Sequence, residues 1–220
     1  MTQRYLPLSL ESVKSIGDNV FGFSMTLLAV APFAPTGQMG DVLENLRGQW
    51  PAFFAYVTTF GLLGTLWYAF HVDLRYVRRM DRNLALLNLP LLFVATLQPF
   101  AARLFGQNLG TPLGVMVPAL SALVYFLCLW ARWSYVTAGR RLVGPDLSDA
   151  AIRATHYAIL SLVAISLLSV AAAFVTPWLS LALFFVGGAA FYVSAFSRRV
   201  WPGAVAAMPA EEIVAAPDAE

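Results

Sequence analysis

Residues 113–131 read LGVMVPALSALVYFLCLWA, nineteen positions without one charged side chain. A helix needs about 20 mostly apolar residues to cross the hydrocarbon core of a bilayer, so this stretch reads as a membrane span. The rest of the chain has the same character. Its 220 residues are 59% hydrophobic and only 12% charged, with a mean hydropathy of +0.69. Soluble domains carry about a quarter of their residues as charges. Too few charges remain here to cover a globular surface, and the expected class is an all-α integral membrane protein.

Five more stretches have the length and composition of spans: 13–33, 50–72, 84–105, 155–175 and 178–196. Only Thr176-Pro177 separates the last two, which leaves open a tight hairpin or one long broken helix. Basic residues give the orientation. Twelve of the fourteen lie before the first span (Arg4, Lys14), after the second (Arg75, Arg78, Arg79, Arg82), after the fourth (Arg132, Arg140, Arg141, Arg153) and after the sixth (Arg198, Arg199). Arg47 and Arg103 are the remainder. An excess of Lys and Arg marks cytoplasmic segments, so both termini are expected there and the number of spans is even. The expected organisation is a six-helix transmembrane domain over 1–200 and a disordered Ala- and Pro-rich acidic cytoplasmic tail over 201–220. Asp18 inside the first apolar run argues against a cleavable leader.

Several chemistries are excluded by what is absent. One cysteine, Cys128, and two histidines are too few for a structural metal or haem site. The sequence has no Gly-x-Ser-x-Gly, no His-Glu-x-x-His and no phosphate loop. Thr58-Thr59-Phe60-Gly61 faintly echoes a carbonyl-lined filter, but it sits inside a continuous span and lacks a Gly-Tyr-Gly core. No catalytic residue, metal ligand, cofactor or nucleic-acid partner is expected, and the chain does not read as an enzyme.

Ionisable groups inside a span cost about 2.5–3.5 kcal/mol, so each one needs a reason. Asp18, His71 and Asn88 lie about a turn from the cytoplasmic ends of the first three spans, at similar depth. A buried hydrogen-bonded cluster would satisfy all three, with Trp67, one turn before His71, adding an indole donor. Solvated positions at the interface explain Asp18 and His71 equally well. On the first span Asn19, Phe23, Thr26 and Val30 fall within about 60° of one another, and Asp18 points elsewhere. A narrow apolar pore wall would have this pattern, and so would ordinary helix packing. Ser166, Ser169 and Ala173 give the fifth span a small-residue face that marks a close helix contact.

The segment Asp18-Asn19-Val20-Phe21-Gly22-Phe23-Ser24-Met25-Thr26-Leu27-Leu28 resembles the first helix of the transmembrane protein 175 family of potassium channels. In that family the helix typically reads Arg-x-x-x-Phe-Ser-Asp-Gly-Val-Phe-Ala-Ile-x-x-Thr-Leu-Leu. A second match spans two helices. Trp67-Tyr68-Ala69-Phe70-His71, then Asp81-Arg82-Asn83-Leu84 and Leu87-Asn88-Leu89, ending at Pro99-Phe100, looks like the family's second and third helices. The likeness covers 12–106. Ser12, Ile16, Gly17 and Asn19 stand where the family motif has Arg, Phe, Ser and Gly.

The resemblance implies a six-helix subunit in a prokaryotic plasma membrane, four copies of which form a homotetramer around a pore lined by the first helix. It implies a hydrophobic constriction rather than a carbonyl filter. The constriction falls on Phe23 and the deeper pore wall on Thr26, Leu27 and Val30, with Asn19 wetting the cytoplasmic side. The family's supporting polar network falls on Asp18, Trp67, His71 and Asn88. Partners would be further copies of the chain, the lipid bilayer and monovalent cations, with K+ as permeant ion. Two rival readings stand beside it: a proton- or solute-coupled carrier with Asp18 and His71 as relay, and a non-conducting membrane scaffold or regulator.

Overall fold

The starts of three long helices in this chain are fixed by side-chain caps, and the helices run long because their interiors are apolar. The computed structural model describes residues 9–30, 48–145 and 147–196. Its helices are α1 (Leu10–Val30), α2 (Trp50–Leu74), α3 (Arg82–Gln107), α4 (Pro112–Thr137), α5 (Asp149–Ala173) and α6 (Pro177–Phe196), with a 3-10 turn at Ala138–Arg140. Asp81 accepts from the Leu84 N–H at 2.8 Å, Thr111 from Gly114 at 3.1 Å and Ser148 from Ala151 at 3.2 Å. Each cap satisfies one of the backbone donors that a helix start leaves free.

Among the described residues four helices, α2 to α5, are long and apolar enough to cross a membrane. The six expected spans correspond in place to the six helices. The first differs in kind, since α1 carries Glu11, Lys14 and Asp18 among its 21 residues. At two expected ends the helix runs on through a charged residue. The second span was expected to stop at residue 72, but α2 runs to Leu74 and takes in Asp73. The fourth was expected to stop near residue 131, but α4 runs to Thr137 and takes in Arg132. Hydropathy ends a span at its first charge; a backbone continues while its hydrogen bonds do. The distal part of the first expected span and the tail over 201–220 lie outside the described residues.

The connections from α3 to α4 and from α5 to α6 are short. Between α3 and α4, Gly110 takes φ +87°, and a Cβ on Gly114 would come within 2.1 Å of the Asn108 carbonyl oxygen. Only glycine fits such a turn at both places. The α5–α6 connection is an antiparallel hairpin and not a broken helix. Ser169 Oγ donates across it to the Ser180 carbonyl at 2.8 Å, with both serines buried. At the other end of the bundle the α2–α3 and α4–α5 connections meet in an isolated antiparallel bridge between Val77 and Val143. The main core joins Leu63, Leu66 and Phe70 of α2, Leu84 and Leu91 of α3, and Tyr125, Leu129 and Trp133 of α4. The helix α1 lies on α2 and α3, its buried stripe of Val13, Gly17, Phe21, Ser24 and Leu28 turned towards them.

Candidate functional site

Spacings of four, four, three and four residues put Val13, Gly17, Phe21, Ser24 and Leu28 on one side of α1. The opposite side is the unusual one. Phe23 is 70% exposed, Val30 72% and Leu27 54%, and Asn19 and Thr26 are exposed beside them. None of these five residues is buried in the fold. The Thr26 hydroxyl donates to the Gly22 carbonyl at 2.9 Å, which leaves its oxygen facing outward as an acceptor. The face therefore alternates bulky apolar groups with two small polar ones.

Asp18 lies beside this face and is held by α2. Trp67 Nε1 donates to Asp18 Oδ1 at 2.8 Å, and His71 Nε2 lies 3.1 Å from the same oxygen. His71 Nδ1 lies 3.0 Å from the Trp67 carbonyl oxygen, and the two rings stand 5.0 Å apart. Trp67 and His71 reach one carboxylate because residues four apart share a helix face. The cluster is at a rim, not buried: the Asp18 side chain is 53% exposed and that of His71 21%.

Asn88 belongs elsewhere, which corrects the expected four-membered network. It is buried, its amide donates to the Leu84 carbonyl at 2.7 Å, and its Oδ1 accepts from Arg132 Nη1. Equal depth along three helices does not make three side chains neighbours, because azimuth decides which helix each one faces. Arg132, on α4, has 0% exposure. Its Nε donates to Asp73 Oδ2 at 2.9 Å, its Nη2 to Asp73 Oδ1 and, at 3.1 Å, to the Phe70 carbonyl. The guanidinium carbon also lies 4.8 Å from the centroid of the Phe70 ring. A charge this deep is tolerable only when it is paired and its hydrogen bonds are satisfied, and Arg132 meets both conditions.

The two clusters are joined through Phe70. Its ring packs on Gly17, one residue before Asp18, so closely that a Cβ there would be 2.4 Å from Phe70 Cε1. Arg132 thus fixes Phe70, Phe70 fixes the Gly17 turn of α1, and that turn carries Asp18. Reading the sequence for charge alone put Arg132 among the residues that set topology and passed over Asp73. Helix phase was the available signal, since Tyr125, Leu129, Arg132 and Val136 form one stripe that the structure buries. Among the described residues no three His, Cys, Asp or Glu side chains are grouped to hold a metal ion.

Comparison with known proteins agrees with this architecture. The family model described as "Endosomal/lysosomal potassium channel TMEM175" matches residues 12–99, which hold α1, α2 and most of α3. A potassium channel of Streptomyces collinus is 31% identical over 149 residues, covering 66% of this chain and 72% of that protein. The human endosomal/lysosomal proton channel TMEM175 is 34% identical over 101 residues, covering 41% of this chain and 20% of that protein. In structure, the crystal form of a lysosomal potassium-selective channel TMEM175 homolog from Chamaesiphon minutus superposes with a TM-score of 0.75. That match has 21% identity and covers 86% of this chain and 98% of the other. A family model that matches α1, α2 and most of α3, a relative matched over most of its length, and a shared fold lead to one assignment: the chain belongs to the TMEM175 family of ion channels.

Proposed function

We propose that this protein is a potassium-preferring cation channel, assembled from four copies with the exposed face of α1 turned to a common axis. The observation that carries the reading is that face itself. Phe23, Leu27 and Val30 leave a large apolar strip uncovered on a helix whose other side is fully packed. Further copies of α1 around an axis would cover it. Phe23 then forms the narrowest ring, Thr26, Leu27 and Val30 continue the wall, and Asn19 wets the cytoplasmic mouth. Asp18, Trp67 and His71 brace the helix from the side, and Asn88 acts through Arg132. Apolar rings offer no oxygen cage, so preference among ions comes from pore width and partial dehydration, and the ring can close by losing its water.

The wider architecture follows. With 21 and 20 residues, α1 and α6 extend about 31 and 30 Å, enough for the hydrocarbon core. Six crossings with both termini in the cytoplasm, in a prokaryotic plasma membrane, match the placement of the arginines. The name of the Streptomyces relative supports potassium as the permeant ion. The test is flux from liposomes that hold a potassium gradient. Phe23→Ala should raise the leak severalfold and weaken discrimination against sodium; unchanged flux and selectivity would remove Phe23 from the constriction. Saturable flux coupled to pH and abolished by Asp18→Asn would instead identify a carrier.

A further inference from the structure

We propose that the arginine-rich end of the helix bundle binds the phosphate of anionic phospholipids, with Arg79, Arg82 and Arg141 as the contacting bases. Two connections meet there. One joins α2, which ends at Leu74, to α3, which starts at Arg82; the other joins α4, which ends at Thr137, to α5, which starts at Asp149. They are pinned together by the Val77–Val143 bridge and by the Arg78 N–H, which donates to the Leu142 carbonyl at 2.8 Å. Val77, Leu142 and Val143 are buried, so the junction rests on an apolar anchor. Arg79 follows Val77 on one connection and Arg141 precedes Val143 on the other, so the pinned junction carries a base on each side.

Charge at this end is one-sided. The two connections and the adjoining helix starts hold Arg75, Arg78, Arg79, Arg82, Arg140, Arg141 and Arg153. Their described acids are already engaged. Asp81 accepts from the Tyr135 hydroxyl at 2.5 Å and from Leu84 N–H, and Asp149 pairs with Arg140 at 2.5 Å. Arg140 also donates to the Leu147 carbonyl at 2.9 Å, so it is occupied too. Arg79 and Arg82 are exposed and, among the described residues, pair with no acid. The Arg141 guanidinium lies over the Tyr135 ring, 5.2 Å from its centroid, and its charge also acts on the Asp81 carboxylate, which accepts its hydrogen bonds from Tyr135 and Leu84. At the opposite end, the connections over 108–111 and 174–176 carry no charge.

Location selects the ligand. The long apolar helices α2 to α5 each have an end at this junction, so its arginines sit where hydrocarbon gives way to headgroups. A guanidinium presents paired N–H donors that fit two phosphate oxygens at once. Each such base near an anionic surface contributes about fivefold in affinity, which corresponds to about 1 kcal/mol. The inference does not depend on ion conduction.

The test is native mass spectrometry of the full chain in detergent. It would be titrated separately with phosphatidylglycerol, with phosphatidylcholine of the same acyl chains, and with inorganic phosphate. Phosphatidylglycerol should bind at least tenfold tighter than phosphatidylcholine. Arg79→Gln with Arg141→Gln should erase that margin, Arg79→Lys with Arg141→Lys should restore most of it, and Arg103→Gln, on a base far from the junction, should leave it intact. Equal binding of the two lipids would overturn the proposal, as would a margin that survives the double glutamine variant. Binding of inorganic phosphate as tight as that of the lipid would also overturn it, because the site would then recognise a free anion.

Discussion

A methyl group at position 17 would stand 2.4 Å from Phe70 Cε1 and 2.9 Å from its Cζ. Phe70 cannot retreat, since the Arg132 guanidinium lies against its ring and the Phe21 ring sits 5.8 Å away. Overpacking of this kind costs about 1–3 kcal/mol. Gly17→Ala should therefore lower the thermal unfolding temperature in detergent by several degrees. Gly188→Ala, whose Cβ would meet nothing within 4 Å, should change it little. A second residue-scale prediction concerns acid. Partial burial opposes ionisation of Asp81, but hydrogen bonds from Tyr135 and the Leu84 N–H and the Arg141 charge outweigh it and hold the carboxyl below its ordinary value of 3.8. A carboxyl lowered on folding contributes stability that is complete above its unfolded value and is lost as pH falls through the folded one. The stability gap between wild type and Tyr135→Phe should accordingly stay constant near neutrality and narrow below about pH 4. Denaturation series at successive pH values would show it; a gap that grows on acidification would remove Asp81 as the cause.

At the scale of elements, Arg132 ties α4 to α2 and α3, and breaking one side of that tie leaves a buried charge alone. Arg132→Met should cost about 3–5 kcal/mol, whereas Arg132→Met combined with Asp73→Leu should recover much of the loss. A double-mutant cycle on unfolding free energies measures the coupling, and strict additivity would refute the pairing. Here the limit of reading a sequence is concrete. The helices were legible because each is an apolar run of nearly the right length, and their order and hairpins follow from where the arginines and the Thr176-Pro177 pair fall. Trp67 and His71 could be put on one face because four residues make about a turn. Asp73 and Arg132 were illegible to a hydropathy scan, which cannot tell a charge that closes a span from one buried within it. Asn88 was assigned the right depth and the wrong neighbour for the same reason, since hydropathy carries no azimuth.

Seen whole, the molecule is a packed bundle of α2 to α5 with α1 laid on one flank and α6 hairpinned against α5. Asn19, Phe23, Thr26 and Val30 were legible as a stripe and Leu27 joined them through the family resemblance; only the fold shows that all five are exposed. The make-up of α1 reaches into biogenesis. With Glu11, Lys14 and Asp18 it carries more charged residues than any other described helix, and insertion machinery judges a segment largely by its own hydrophobicity. Its seat on α2 and α3 must then supply what its composition lacks, so α1 would settle only once α2 and α3 are in place. Gly17→Leu should on this account yield a fraction of chains with an inverted N-terminus. A cysteine placed at position 30, in a Cys128→Ser background, would report it by reacting with an impermeant maleimide from the cytoplasmic side.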